Sequence, residues 1–219
     1  MKPMIKHHPD ARIMSEYAAG SLPLAQSVCV SIHLSYCQHC QRNYQRLQQL
    51  GAAMFEKLSP VQVDDSLLES VMGRLDEEPP LSYARPKAED SYPSLVERLM
   101  GGNYDELDWN RVTSSLRISR LRTGDPANEL SLYHIKAGGS IPKHTHRGPE
   151  MTLVMEGAFS DEEGVYHTGD FIYRDQEHEH TPTATRGGDC ICIGVVDAPV
   201  QFTSWKHRPL NPFLSVNPQ

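Results

Sequence analysis

Residues 138–150 read Gly138-Gly139-Ser140-Ile141-Pro142-Lys143-His144-Thr145-His146-Arg147-Gly148-Pro149-Glu150, and this stretch decides the fold. His144 and His146 are two positions apart, so on a β-strand both side chains project to the same face. Glu150 follows a turn at Gly148-Pro149 and can approach the same point from the next strand. Imidazole and carboxylate groups that converge in this way bind divalent metal ions. The stretch therefore predicts a metal site inside a β-structure.

A later segment supplies a fourth ligand for this site. Gly169-Asp170 is followed ten residues later by His180, a gap that suits a hairpin returning the chain to the metal. His178 has the same strand parity and is a weaker alternative. We therefore predict a metal site that consists of His144, His146, Glu150 and His180.

The surrounding sequence is typical of an all-β domain. Beyond Trp109, β-rich segments at residues 116–121, 130–135, 152–159, 170–173 and 190–196 alternate with glycine-containing turns, which predicts a sandwich or barrel. The spacing Gly-x5-His-x-His-x3-Glu-x6-Gly, from Gly138 to Gly157, resembles the first motif of the cupin superfamily. That resemblance implies a double-stranded β-helix, or jelly roll, and we call the metal site of His144, His146, Glu150 and His180 the cupin site. The second motif departs from the family, because residues 175–179 replace its usual Pro-x-Gly turn.

The N-terminal part has a different sequence pattern, with apolar residues at helical spacing from residue 10 to residue 76. Asp10 can cap a first helix and Gly20 can end it. A second helix is predicted around residues 25–32, a third at 41–55 and a fourth from 64 or 65 to 75. A unit this small buries little apolar surface, so it often needs a metal or covalent staple.

The pattern His33-x3-Cys37-x2-Cys40 supplies such a staple. Two thiolates at this spacing can bind one ion, and His33 lies four residues before Cys37, near the end of the second helix. Zinc takes four ligands in tetrahedral geometry, and the fourth comes from His7 or His8, of which we favour His8. A redox pair or two unrelated helix-end cysteines are the alternatives. We call His8, His33, Cys37 and Cys40 the clasp.

The clasp residues, with Tyr17-Ala18-Ala19-Gly20-Ser21-Leu22 between them, resemble the zinc-binding domain of ChrR-type anti-sigma factors. The resemblance implies a 1:1 complex in which the exposed apolar residues of the helices sequester an extracytoplasmic-function sigma factor from RNA polymerase. It also implies that the cupin domain senses an oxidative signal, such as singlet oxygen, and triggers release. Zinc is implied at both sites, although the cupin ligands also suit manganese, iron or nickel.

Composition and charge support this organisation. Residues 77–93 are rich in proline and charge, which predicts a linker between a helical domain at 1–76 and a cupin domain at 94–219. The expected fold class is α+β in two domains. A net charge of −7 disfavours a nucleic-acid partner. No apolar run reaches the ~20 residues of a membrane span, and the N-terminus lacks the apolar core of a signal peptide, so we expect a cytoplasmic protein.

Two questions stay open from the sequence. The first is whether the protein is instead a metal-dependent cupin enzyme, of dioxygenase or isomerase type, with an accessory zinc domain. No general base is evident beyond the metal ligands, so we predict no catalytic residue and no enzymatic activity. The second concerns Cys190 and Cys192, which share one face of a strand. They are either buried strand residues or a redox pair near the metal.

Overall fold

The computed structural model describes residues 4–75, 104 and 107–213, and for residues 210, 212 and 213 it describes the backbone alone. The predicted linker at residues 77–93 lies outside the described residues. The domain boundaries at 76 and 94 therefore stay predictions.

Four α-helices form the N-terminal part: α1 (Ala11–Ala18), α2 (Leu24–Tyr36), α3 (Gln38–Phe55) and α4 (Ser66–Gly73). Asp10 caps α1 as predicted, because its carboxylate accepts the N–H of Ile13 at 2.7 Å. Helix α3 begins earlier than predicted because Cys37 itself caps it: the Cys37 Sγ accepts the N–H of Cys40 at 3.4 Å. Within the described residues, none of the helices has the length and apolar character needed to cross a bilayer.

The C-terminal part is a barrel-like arrangement of short strands in three sheets. Its strands are β1 (Asn110–Arg111), β2 (Leu116–Leu121), β3 (Glu129–Ile135), β4 (His144–Thr145), β5 (Glu150–Glu156), β6 (Ala158–Ser160), β7 (Val165–His167), β8 (Phe171–Arg174), β9 (Glu179–His180), β10 (Thr183–Ala184), β11 (Cys190–Val196) and β12 (Gln201–Phe202). A short 3-10 helix follows at Arg208–Phe213. The six-stranded sheet has the order β1-β2-β3-β11-β5-β8, and the two smaller sheets have the orders β10-β6-β7 and β12-β4-β9.

Most predicted strands agree with the structure, with one informative break. The segment predicted as one strand at residues 152–159 is divided at Gly157, which has φ +74°. A Cβ at this position would run into the carbonyl of Asp189. The chain therefore bends there, and β6 leaves the large sheet to pair with β7 and β10. This bend closes the barrel around the histidines of the cupin site.

The six-stranded sheet is buried on both faces, which the sequence prediction of two tethered domains did not include. Its inner face belongs to the core of the barrel, which contains Leu116, Ile135, Val154, Phe159, Tyr166, Ile172, Ala184, Cys190 and Cys192. Its outer face packs against the helices through Leu121, Leu130, Leu132, Met151, Leu153, Phe171, Ile193 and Val195. Helix α2 lies on β5 and β11. The helices and the barrel therefore share one continuous apolar core.

Polar contacts fix α2 on the sheet at its N-terminal end. Pro23 precedes α2 and offers no side-chain cap. The carboxylate of Asp125, from the loop before β3, instead accepts the N–H of Ala25 at 2.9 Å. A negative charge at a helix N-terminus is favourable because it faces unpaired N–H groups and the positive end of the helix dipole. Asn128 adds a hydrogen bond from Gln26 at 3.2 Å.

Candidate metal centres

The structure brings the four clasp residues together, with their ligand atoms within 4.8 Å of one another. The His8 Nδ1 lies 3.4 Å from the Cys37 Sγ and 3.5 Å from the Cys40 Sγ. A nitrogen and a sulfur bound at about 2.0 and 2.3 Å to one tetrahedral zinc ion lie about 3.5 Å apart, so these separations fit. His7, the alternative, is directed elsewhere: its ring packs on Tyr166 with the centroids 4.8 Å apart.

His33 is oriented for metal binding by a group from the barrel. Its Nδ1 lies 2.9 Å from the carbonyl oxygen of Gly169, and a carbonyl only accepts, so Nδ1 carries the proton. Its Nε2 is buried without a hydrogen-bond partner, which leaves a free lone pair for an ion. Burial lowers the pKa of His33 to about 4. The ring is therefore neutral, as a ligand must be, at physiological pH.

The Cys40 thiol of the clasp needs a nearby cation to ionise. Burial and the neighbouring Cys37 raise the pKa of Cys40 to about 12. A divalent ion offsets this cost because it binds thiolates directly. Cys29, in contrast, is fully buried in the apolar core and is not part of the clasp.

The cupin site is equally compact. His144 lies on β4, His180 pairs with it across the β4–β9 ladder, and Glu150 begins β5. The His180 Nε2 lies 3.1 Å from the Nε2 atoms of both His144 and His146, and the His146 Nε2 lies 3.3 Å from the Glu150 carboxylate. Nitrogens bound at about 2.0–2.1 Å to one ion lie about 3.0–3.4 Å apart, so this set also fits a metal. All four side chains are buried.

Surrounding groups fix the ring orientations at this site. The His144 Nδ1 donates to the carbonyl of Pro142 at 2.9 Å, and the His180 Nδ1 donates to the carboxylate of Asp161 at 3.1 Å. Both Nε2 atoms are thus left facing the site. Burial lowers the pKa of His144 to about 4 and that of His146 to about 3. These rings are neutral and available as ligands at physiological pH.

Sequence reasoning missed Asp161, since residues 161–164 read only as a turn. The Asp161 side chain is fully buried and also binds Arg174 at 3.2 Å. Burial opposes its ionisation, but hydrogen bonds from His180, the Glu163 N–H and Arg174 outweigh burial and lower the pKa of Asp161. A buried carboxylate behind a histidine ligand is a usual feature of metal sites. The acidic residues of this turn were the feature of the sequence that could have indicated a carboxylate near the metal site.

His178, the alternative ligand, has a different role. Its Nδ1 lies 2.7 Å from the carboxylate of Asp175, and it is not part of the cupin group. Asp175 also accepts the N–H of Glu177 at 3.0 Å. These bonds close the turn between β8 and β9 in the place of the missing Pro-x-Gly.

Cys190 and Cys192 both point into the inner core, with their Sγ atoms 3.4 Å apart. The hydrogen bond with Cys190 and burial raise the pKa of Cys192 well above its usual value. A protonated thiol is a weak nucleophile, which favours the interpretation of buried strand residues. Cys192 also lines an apolar cavity, together with Tyr133, Ile141 and Phe159, that reaches His144, Glu150 and His180. The cavity gives the metal position an apolar approach.

A helical clasp packed on a barrel with a three-histidine, one-glutamate site defines a two-site metal-binding cupin protein. The family profile described as the ChrR cupin-like domain matches residues 98–198. The anti-sigma-E factor ChrR of Cereibacter sphaeroides is 36% identical over 212 residues, which cover 97% of this chain and 99% of that relative. The chain belongs to the ChrR family of anti-sigma factors.

One solved structure agrees with this assignment. The complex of Rhodobacter sphaeroides SigE with the anti-sigma ChrR matches with a TM-score of 0.76 and 36% identity, covering 89% of this chain and 100% of that chain. A cupin protein from Ralstonia eutropha matches with a TM-score of 0.41 and 21% identity over 48% of this chain and 71% of its own. The predicted α+β fold with a C-terminal cupin domain is confirmed, and so is the prediction of a regulatory protein rather than an enzyme.

Proposed function

We propose that the protein sequesters an extracytoplasmic-function sigma factor in a 1:1 complex through its N-terminal helices and so blocks access to RNA polymerase. The likeness over nearly the whole chain to an anti-sigma factor solved in complex with its sigma factor supports this function. Transcription is cytoplasmic in bacteria, which supports the expected cytoplasmic location.

One observation carries the proposal: an exposed apolar arm at residues 50–75, which comprises the end of α3, the following loop and α4. Helix α4 buries none of its side chains. The exposed apolar residues of the arm are Leu50, Met54, Phe55, Leu58, Val61, Val63, Leu67, Leu68, Val71, Met72 and Leu75. Apolar surface of this extent marks a protein interaction site. An amphipathic helix of this kind can dock into an apolar groove of a partner.

Replacement of an arm residue tests this function. Leu68→Asp places a charge in the arm at a side chain that is 70% exposed, so the fold of the chain should be unaffected. Val165→Asp, on β7, makes the same change at an exposed apolar residue outside the arm. Each variant and an extracytoplasmic-function sigma factor from the same genome are purified separately, and binding is measured by calorimetry.

We expect Leu68→Asp to weaken sigma binding about 30-fold, the effect of losing an interface anchor of about 2 kcal/mol. Val165→Asp should bind like the unaltered chain. Equal binding by both variants would show that the arm is not the sigma-binding surface.

We propose that the clasp holds zinc, because two thiolates and two imidazoles in a closed tetrahedral set suit zinc best. This ion would join the segment before α1 to α2 and α3, and so shape the sigma-binding part. The cupin site would hold a second zinc ion, with manganese, iron or nickel as alternatives that its nitrogen and oxygen donors allow. Metal analysis of the purified chain should find two equivalents, at least one of them zinc. A single equivalent would contradict the two-site proposal.

The cupin site is the proposed sensor of an oxidative signal such as singlet oxygen. The open side of the site, the apolar cavity, supports this role because it lets a small neutral molecule reach the ligands. The shared core between the barrel and the helices supports a route by which a change at the sensor alters sigma binding.

A further inference from the structure

We infer that the cupin domain forms part of the N-terminal metal site: the turn at residues 168–171 positions two clasp ligands, His8 and His33, from outside. This inference rests on the proposed metal at the clasp. It concerns residues that contact no ion themselves but fix the groups that do.

The first contact orients His33. The carbonyl of Gly169 accepts the hydrogen bond from His33 Nδ1 and so selects the tautomer whose Nε2 is free for the ion. Metal-binding histidines are generally held in this way, and loss of the partner typically costs 10–100-fold in metal affinity. Here the partner belongs to the other domain, at a separation of 136 residues. The helical part therefore does not contain its complete metal site.

The second contact holds the segment that carries His8. The Asp170 Oδ1 accepts the N–H groups of Lys6 at 2.8 Å and His7 at 3.0 Å. The N–H of Phe171 donates to the His7 carbonyl at 3.0 Å. The peptide groups on both sides of His7 are thus fixed to the barrel, one residue before the ligand. Asp170 is only 1% exposed, and its Oδ2 accepts the N–H of His167 at 2.8 Å.

Gly169 permits both contacts by its lack of a side chain. Its φ is +93°, a conformation that other residues rarely adopt. A Cβ there would lie 2.7 Å from the Ile5 Cδ1 and 3.3 Å from the Tyr36 Cβ. A side chain at residue 169 would therefore be strained and would press on the segment before α1 and on the end of α2.

The same strand continues to the second metal site. Arg174 ends β8, pairs with Glu150 across the β5–β8 ladder, and binds Asp161, the carboxylate that orients His180. Strand β8 thus carries a positioning group for each site at its two ends.

The test uses the full chain loaded with Co²⁺. Absorption from thiolate-to-Co²⁺ charge transfer reports the clasp, because the cupin ligands include no thiolate. Clasp affinity is measured by competition with a chelator in the unaltered chain and in Asp170→Asn. The matched control is Asp125→Asn, because Asp125 is about as buried as Asp170. Its carboxylate also accepts a backbone N–H from the helices, that of Ala25, but it is not in contact with the clasp.

We expect Asp170→Asn to weaken Co²⁺ binding at the clasp about 10–100-fold, because the amide NH₂ group must face backbone N–H donors in either orientation, those of Lys6 and His7 or that of His167 within the turn. Asp125→Asn should change it less than about 2-fold. Equal effects, or no effect of Asp170→Asn, overturn the inference. An unaltered chain without charge-transfer absorption overturns the proposed clasp metal and, with it, this inference.

A second variant covers the case in which Asp170→Asn does not fold. Lys6→Pro removes one N–H that Asp170 accepts, at an exposed residue outside the helices, and leaves the barrel unchanged. It should weaken clasp binding of Co²⁺ several-fold, with no change in the cupin site. Unchanged clasp affinity in this variant also overturns the inference.

Discussion

Asp161→Asn offers the sharpest test of how the cupin site is built. The Asp161 carboxylate accepts hydrogen bonds from the His180 Nδ1 at 3.1 Å, the Arg174 Nη2 at 3.2 Å and the Tyr166 hydroxyl at 3.1 Å. Every partner is a donor, so an asparagine must direct its NH₂ group at one of them. Asparagine has nearly the same size, so no cavity is made and the change acts through hydrogen bonding and the loss of one negative charge beside Arg174.

The expected magnitude follows from the contact with His180. Removing the partner that orients a metal-binding histidine typically weakens metal binding 10–100-fold, or about 1.4–2.8 kcal/mol. Arg174 keeps its ion pair with Glu163 at 3.1 Å. The loss in the free energy of unfolding should therefore stay below the ~3–5 kcal/mol of a buried charge that loses its only partner.

The assay is the metal content of the full chain after dialysis against graded chelator concentrations. Asp161→Asn should lose one equivalent of metal at a chelator concentration about 10–100-fold lower than the unaltered chain requires. The Co²⁺ charge-transfer absorption of the clasp should persist. Glu163→Gln is the control, because Glu163 also binds Arg174 but is half exposed and is not a cupin-site ligand. If Asp161→Asn keeps both equivalents as tightly as Glu163→Gln, the orienting role of Asp161 is wrong.

Two further predictions address the sensor and the barrel. His144→Ala should preserve sigma binding but abolish the release caused by photochemically generated singlet oxygen, as followed by a reporter gene of the sigma factor; loss of sigma binding would show that the two sites are not separable. Gly157→Ala should destabilise the fold by about 2 kcal/mol or more in denaturant unfolding, because φ is +74° and the Asp189 carbonyl occupies the space of the Cβ. Gly164→Ala, whose Cβ would meet nothing within 4 Å, should change stability by less than about 0.5 kcal/mol, and equal effects would contradict the strain argument.

The ligands could be predicted from the sequence because their positions depend on short-range geometry. Strand parity places His144 and His146 on one face, and the turn before Glu150 limits where its carboxylate can go. His7 and His8 could not be separated in this way, since the segment before α1 has no periodic structure. Asp170 fixes that segment, and it lies 163 residues away from His7.

The shared core was missed although two signals for it exist in the sequence. Helix α2 buries residues all around its axis, among them Ala25, Val30 and His33, and a helix of this kind must be covered on several sides. Strand β11 reads as a nearly continuous apolar run, which is typical of a strand buried on both faces. The apolar pattern of each segment predicts a helix or a strand that must be covered. It does not specify which other element covers it, because that depends on tertiary packing.

The sequence separation of the contacts between α2 and the barrel has a consequence for biosynthesis. Helices α1 to α3 emerge from the ribosome long before the turn at Gly169, yet His33 and Lys6 find their partners there, 136 and 164 residues downstream. Contacts so distant in sequence form late and slowly. The nascent helices must therefore wait, with the apolar face of α2 uncovered, until nearly the whole chain has been translated. The N-terminal helices are therefore synthesised first but gain their contacts with the barrel last.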